Sequence, residues 1–295
     1  MNETVPPSPP AVPSVPPPLP SASSVPPAPP AVPVVFSGQR ADFRGLVFRG
    51  ALLELVTLGF YRFWLATNIR RHLWSHTSAG GDALEYTGSA KELLVGFLVA
   101  LAIMAPIYLL YFLIGIEAER AQAFASIPLG VFLYLFAQFA LYRARRYRLT
   151  RTIWRGVRFG MGGSGLSYMW RAGLWTLLAI LTVGLLLPWR QAALERYKAG
   201  HTSYGNLRGG FTGTGWQLFR RVWGYWLATV VLLLLSTLLA LLPALGFLAV
   251  LLFFVGGIFV YAMYKAAEWQ WWIAGLRLGE VRFETSMSSG EFVDL

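Results

Sequence analysis

One motif, written twice at a constant distance, constrains this chain more than any other feature. Thr57, Gly59, Trp64, Arg71, His76, Thr77, Gly80 and Tyr86-Thr87-Gly88 recur as Thr182, Gly184, Trp189, Arg196, His201, Thr202, Gly205 and Phe211-Thr212-Gly213, every pair 125 residues apart without a gap. Self-similarity over this length marks a duplicated module, and in an apolar chain such a module builds two related halves of one bundle. The expected organisation is a disordered proline-rich tail over 1–35, a first membrane repeat over 36–158, and a second over 159–295 with a short polar C-terminal tail.

Hydrophobic residues make up 56% of the chain and charged residues 13%, too apolar a balance for an ordinary soluble globule. The net charge of +11 does not point to nucleic acid, because the basic residues stand beside apolar runs. There they meet anionic lipid headgroups and set orientation. No cysteine is present, which excludes disulfides, thiolate nucleophiles and thiolate metal sites. Residues 1–33 hold 14 of the 18 prolines. Proline interrupts every apolar stretch there, so no signal peptide is expected. The segment reads instead as an extended spacer, or as a ligand for a proline-recognising protein partner.

Leu93–Ile116 is uncharged and long enough to cross a hydrocarbon core of about 30 Å, and Ser126–Tyr142 is a shorter uncharged run. Glu117, Glu119 and Arg120 lie between them, and seven arginines from Arg143 to Arg158 follow, with no acid from Ala121 to Leu194. The positive-inside rule therefore puts the arginine loop in the cytoplasm and the acidic link outside. Val222–Tyr264 has no charge at all, enough for two spans with a break at Pro243 and Gly246. Trp216, Trp223, Trp226, Trp269, Trp271 and Trp272 suit interfacial belts. The expected class is an all-α integral membrane protein: a polytopic bundle of two tandem repeats, with four spans plus two spanning or re-entrant helices.

Those two helices, Leu46–Trp64 and Ala172–Trp189, open the repeats. The first carries Arg49, Glu54 and Arg62, each costing about 2.5–3.5 kcal/mol at bilayer depth. The second is uncharged but has basic residues on both sides. If both crossed, the halves would be inverted; if neither crosses, they are parallel and share one basic face. The charge pattern favours parallel. The linkers after these helices, 65–91 and 190–216, would form a small extended or hairpin cap on that face, with Glu85-Tyr86-Thr87 as a short strand, and Glu280–Phe283 shows the same alternation.

Thr57-Leu58-Gly59-Phe60-Tyr61-Arg62-Phe63-Trp64, followed by Arg70-Arg71, His76-Thr77 and Glu85-Tyr86-Thr87-Gly88, resembles the bacterial YjgN-like family of inner-membrane proteins, a family of unknown function. The resemblance runs from about Phe36 to the C-terminus and includes the second copy. His72-Leu73-Trp74 departs from the family's Tyr-centred pattern, whereas Arg196-Tyr197 keeps it. The resemblance implies a polytopic bacterial inner-membrane protein and supplies no activity, substrate or cofactor.

Several motifs have the residue types that chemistry needs. His72 and His76 share a helix face, but the only other histidine is His201, so structural or hydrogen-bonding roles for His76 and His201 outweigh a metal site. Gly160-Met161-Gly162-Gly163-Ser164-Gly165 matches a dinucleotide fingerprint, yet an arginine-rich stretch precedes it and a membrane segment follows, which reads as a flexible loop. Glu54 is the one carboxylate in an apolar segment and a functional candidate; the alternative is an ion pair with Arg49 or Arg62. Arg71 and Arg196 are candidates for a phosphate or headgroup, against a plain orienting role. Glu195 should pair locally among Arg190, Arg196 and Lys198. Gly59, Trp64, Gly88, Gly184, Trp189 and Gly213 read as structural residues of the repeat, the tryptophans closing the opening helices at the interface.

These residues point to a non-enzymatic transporter, channel or lipid-interacting factor, with any site between the repeats near Arg71, His76, Arg196, His201 and Glu54. The alternative is an adaptor using its basic face and proline-rich tail. A headgroup enzyme fits least well, for want of a clustered acid–base or nucleophile set. No metal, cofactor or oligomeric state is implied.

Overall fold

A computed structural model describes residues 32–117 and 122–285. Most of the proline-rich segment, Glu119, Arg120 and the last ten residues lie outside them.

Among the described residues, eight α-helices and nine short strands alternate in a strict order. The strands are β1 (Val34–Phe36), β2 (Thr77–Ala79), β3 (Asp82–Tyr86), β4 (Thr152–Trp154), β5 (Val157–Met161), β6 (Thr202–Tyr204), β7 (Leu207–Phe211), β8 (Leu276–Leu278) and β9 (Val281–Arg282). The helices are α1 (Arg40–Val56), α2 (Arg62–Ser75), α3 (Ala90–Glu117), α4 (Gln122–Thr150), α5 (Gly165–Leu181), α6 (Leu187–Gly200), α7 (Gly215–Ala240) and α8 (Gly246–Gly275). The strands form one antiparallel meander in chain order. The all-α expectation is thereby corrected: the helices hang from a nine-stranded sheet. Three-residue strands are too short to show a period-2 pattern, and their pairing is non-local.

Connections in the meander alternate between a two-residue turn and a pair of helices. Gly80-Gly81 and Arg155-Gly156 have positive φ at both turn positions, the mirror-image hairpin turn that suits strand twist. Successive connections of an antiparallel meander lie at opposite ends of the sheet. All four turns are therefore at one end, and all four helical pairs leave and return at the other. The register states this residue by residue: Phe36 pairs with Thr77, Tyr86 with Thr152, Met161 with Thr202 and Phe211 with Leu276.

Helices α3, α4, α7 and α8 are long and apolar enough to cross a membrane; at 1.5 Å per residue, the 26 residues of α7 reach about 39 Å. The chain is thus a helical membrane protein with four candidate spans. The opening segments differ from expectation, because each is two helices rather than one. Leu46–Trp64 breaks at Thr57–Tyr61, and Ala172–Trp189 breaks at Thr182–Leu186.

The break is built by the Thr-x-Gly of the repeat. Leu58 and Val183 sit at φ 50°, followed by Gly59 at 88° and Gly184 at 84°. Gly59 N donates to Glu54 O at 2.8 Å and Leu58 N to Leu55 O at 3.3 Å; Gly184 N donates to Ala179 O and Val183 N to Ile180 O. This is a Schellman cap. The threonine hydroxyls donate back to Leu53 O and Leu178 O and accept from Tyr61 N and Leu186 N. Backbone groups at a tip exposing Leu55, Leu58, Ile180 and Val183 are thus satisfied internally, as apolar surroundings require. The second tip is moored by Trp226, whose Nε1 donates to Val183 O at 3.2 Å, a point about 17 Å along α7.

The buried core lies where helices meet sheet. Tyr142, Met161, Tyr168, Ala172, Leu194 and Tyr197 form one cluster. Ala192, Ala199, Phe211, Leu218, Val222, Ala267 and Trp271 form the other. Trp271 is therefore core rather than interfacial belt, while Trp216, Trp223, Trp226 and Trp269 are exposed.

Candidate functional site at the strand–helix junctions

Four junctions carry one cassette: Phe36-Ser37-Gly38-Gln39, Tyr86-Thr87-Gly88-Ser89, Met161-Gly162-Gly163-Ser164 and Phe211-Thr212-Gly213-Thr214, each followed at once by a helix. Their first residues are 50, 75 and 50 residues apart. The 125-residue repeat is therefore itself two units, a short one with helices of 14–17 residues and a long one with helices of 26–30. Sequence comparison at a single offset passes over this, although the glycine cassette was a readable signal. The Gly160–Gly165 stretch falls on the third junction, so it is no flexible loop: strand β5 runs into it, α5 leaves it, and Gly163 has φ 74°. Tyr142 Oη donates to Gly162 O at 2.7 Å.

The glycine in the cassette makes room for a ring. A Cβ on Gly88 would lie 2.4 Å from Tyr86 Oη, and one on Gly213 would lie 2.6 Å from the Phe211 ring and 3.0 Å from Trp271 Cε2. Arg71 and Arg196 complete these junctions. Arg71 Nη2 donates to Gly88 O at 3.1 Å and Arg196 Nη2 to Gly213 O at 3.3 Å. His76 and His201 are the C-caps of α2 and α6, and each Nδ1 is 2.7 Å from the carbonyl four residues back. The following threonines repeat the gesture, Thr77 to Leu73 O and Thr202 to Lys198 O. The two arginine–histidine sets do not converge. Their strands, β2 and β6, are four places apart in the sheet, roughly 19 Å at ordinary strand spacing.

Three residues before the ends of α2, α4 and α6, and four before the end of α8, stands an aromatic ring: His72, Tyr147, Tyr197 and Trp271. Tyr147 Oη donates to Ser89 O and accepts from Ser89 N, and Tyr197 does the same with Ser164. The other two are left without partners, since His72 Nε2 and Trp271 Nε1 are buried and unbonded.

Glu54 lies at the end of α1, and no ion pair with Arg49 or Arg62 forms; Arg62 instead lies over the Phe63 and Phe97 rings. Trp64 and Trp189 open α2 and α6 rather than closing the helices before them, because the Schellman break falls ahead of them. Trp64 stacks on Tyr61 and Trp189 packs on Phe219 of α7. Glu195 takes Lys198, as expected, but its other partners are Arg145 at 3.4 Å and Trp272 Nε1 at 2.9 Å. Arg190 turns to Thr176 and Tyr134, and Arg196 to Gly213. Burial pulls the Lys198 ammonium down from its ordinary value, against the opposing pull of Glu195.

Two cavities open at this level. One, of about 590 Å³, lies at the fourth junction among Thr212, Gln217, Arg220, Arg221, Trp271 and Arg277. The other, of about 260 Å³, is lined by Arg145, Glu195, Glu268, Trp269, Trp271 and Trp272. Among the described residues, no three His, Asp or Glu side chains gather as metal ligands.

No curated protein and no solved structure matches the chain. Residues 31–295 match a family described as a bacterial protein of unknown function (DUF898). The match spans nearly the whole chain and agrees with the YjgN-like resemblance carried by the repeat motif; the chain belongs to this bacterial family of unknown function.

Proposed function

We propose that the protein is a non-enzymatic, multi-pass inner-membrane factor that engages anionic lipid headgroups along a basic girdle where its helices meet the sheet, with the sheet on the cytoplasmic side. The observation that carries this is the meander. Every helical pair leaves and returns at one end of the sheet, which supports a reading in which two membrane-crossing pairs and two short pairs share one face and the repeats are parallel. The short pairs then enter a single leaflet, in keeping with a tip that meets α7 at Trp226.

Charge placement supports the same orientation. Arg70, Arg71, Arg143, Arg145, Arg146, Arg196, Lys198, Arg220 and Arg221 lie in the sheet-proximal parts of the helices, whereas Thr57–Tyr61, Thr182–Leu187 and Leu241–Gly246 carry no charge. Nine cations at that level suit a headgroup layer. The non-enzymatic reading rests on the histidines, whose Nδ1 atoms cap helices far from one another, and on Glu195, which is committed to cations and an indole.

A transporter is the second reading. It is favoured by the smaller cavity, which Arg145 of the first repeat and Glu195 and Glu268 of the second line together. The adaptor reading uses the basic face together with the proline-rich segment, most of which lies outside the described residues.

Single cysteines replacing Ser78 and Ser203, in this cysteine-free chain, test the topology with an impermeant maleimide on right-side-out and inverted vesicles. Both should label only in inverted vesicles. Labelling from opposite faces would make the repeats inverted and bring an alternating-access transporter to the front. In nanodiscs, phosphatidylglycerol should stabilise the protein over phosphatidylcholine, with the difference shrinking as salt rises; equal stability in both lipids would remove the headgroup role.

A further inference from the structure

The second and fourth junctions are equivalent at an offset of 125 residues, and they differ in where their charged residues stand. At the second, Glu92 in the first turn of α3 accepts from Arg151 Nη2 and Tyr147 Oη, both at 2.7 Å. An internal carboxylate thus fills the space between a helix N-terminus and its cation. At the fourth, the equivalent residue is neutral Gln217. It closes a capping box with Thr214, accepting from Thr214 N at 3.1 Å and donating its own N–H to Thr214 Oγ1 at 3.2 Å.

The fourth junction also lacks the partner cation, since Leu276 stands where the second has Arg151, but it carries three other arginines, Arg220, Arg221 and Arg277, where the second has Val95, Gly96 and Thr152. Gln217, Arg220 and Arg221 stand at i, i+3 and i+4 and share a helix face. With Arg277 of β8 they line the 590 Å³ cavity, and no acid among the described residues lines it. Among the described residues, none of these three guanidiniums is engaged in an ion pair. The floor supplies a further donor. Trp271 is 3% exposed, its Nε1 has no partner, and Cε2, the ring atom bonded to Nε1, faces the Gly213 junction. An indole nitrogen can only donate. Leaving it unpaired beside a helix N-terminus and three arginines is costly unless an acceptor arrives.

We propose that the fourth strand–helix junction is a recognition site for a single phosphate group, held by Arg220, Arg221, Arg277, the Trp271 indole N–H and the N-terminus of α7. The shared ligand chemistry is a phosphate ester or inorganic phosphate. This deepens the headgroup reading by naming the place where one headgroup is held specifically rather than by the girdle's general field.

The test uses the full chain in neutral detergent and follows thermal unfolding with inorganic phosphate, short-chain phosphatidylglycerol or phosphatidylcholine of the same chain length. Wild type should be stabilised by the first, the second or both, but not by phosphatidylcholine. Arg277→Gln and Trp271→Phe should each weaken the response roughly tenfold in ligand concentration. Gln217→Glu keeps the capping box, supplies the carboxylate from within, and should raise the starting midpoint while abolishing the response. Arg158→Gln, at an exposed position of β5, should respond as wild type.

A response to phosphatidylglycerol alone supports the site with a lipid as its source. A response to inorganic phosphate alone supports the site but removes the lipid role. Equal responses in wild type and all variants overturn the site while leaving the girdle standing. No response in wild type overturns both.

Discussion

Alanine placed at each of the four junction glycines asks whether a ring folded onto the glycine holds strand to helix. At Gly38, Gly88 and Gly213 an added Cβ meets the ring two residues back at 2.4–2.6 Å, so the intrinsic clash is alike. What differs is whether the ring can move. Phe36 is 52% exposed and free to swing away. Tyr86 is 5% exposed and its Oη accepts from Arg70 Nη1 at 3.1 Å, while Phe211 is 7% exposed and wedged edge-on against Trp271. Overpacking a held ring costs about 1–3 kcal/mol, and losing a glycine from the unfolded chain offsets about 0.4–1 kcal/mol at every site. Gly38→Ala should therefore be neutral, and Gly88→Ala and Gly213→Ala should each lose about 1–2 kcal/mol, lowering the midpoint by roughly 2–8 °C. Gly163→Ala should lose about 1–2 kcal/mol more, because φ there is 74° and the Cβ would also strike Tyr142 Oη and His201 at 2.6 Å. Thermal unfolding of the full chain in neutral detergent, followed by far-ultraviolet circular dichroism, gives the ranking. Equal losses at all four glycines, or a larger loss at Gly38 than at Gly213, would refute the reasoning.

Replacing Glu195 by Gln leaves the half-buried Arg145 and Lys198 without their counter-charge and should cost about 1–3 kcal/mol. Asp82→Asn breaks the half-exposed pair with Arg155 for less than about 1 kcal/mol, so comparable midpoint losses in the two variants would contradict the burial argument. Burial, reinforced by Glu195, pushes the Tyr168 phenol up from 10.0 to about 12. The folded protein keeps a proton that the unfolded chain releases, so this contribution is complete below pH 10.0 and disappears as the pH climbs toward about 12. Tyr168→Phe should flatten the alkaline fall in midpoint over that window, and an unchanged slope would assign the effect elsewhere.

The candidate site was only half legible. Arg71, His76, Arg196 and His201 stood out because they repeat, but repetition reports a shared structural duty as readily as a ligand. Here it reports caps on Gly88, Gly213 and the ends of α2 and α6. The cavity at the fourth junction depends on residues that break the repeat: Arg220 stands where the first copy has Val95, and Gln217 where it has Glu92. A motif defined by identity between copies is blind to those positions.

Composition and charge alone determined the membrane class, because a 43-residue run without charge, Val222–Tyr264, has no low-energy place outside a bilayer. The 125-residue offset likewise pointed to two related halves. Only the tertiary structure decided that each half is two units, that the opening segments fold back on themselves, and that every helical pair returns to one end of a sheet. The reason is physical: hydropathy is a sum over neighbours in the chain, whereas strand pairing joins Tyr86 to Thr152 and Phe211 to Leu276, across separations that no local pattern records.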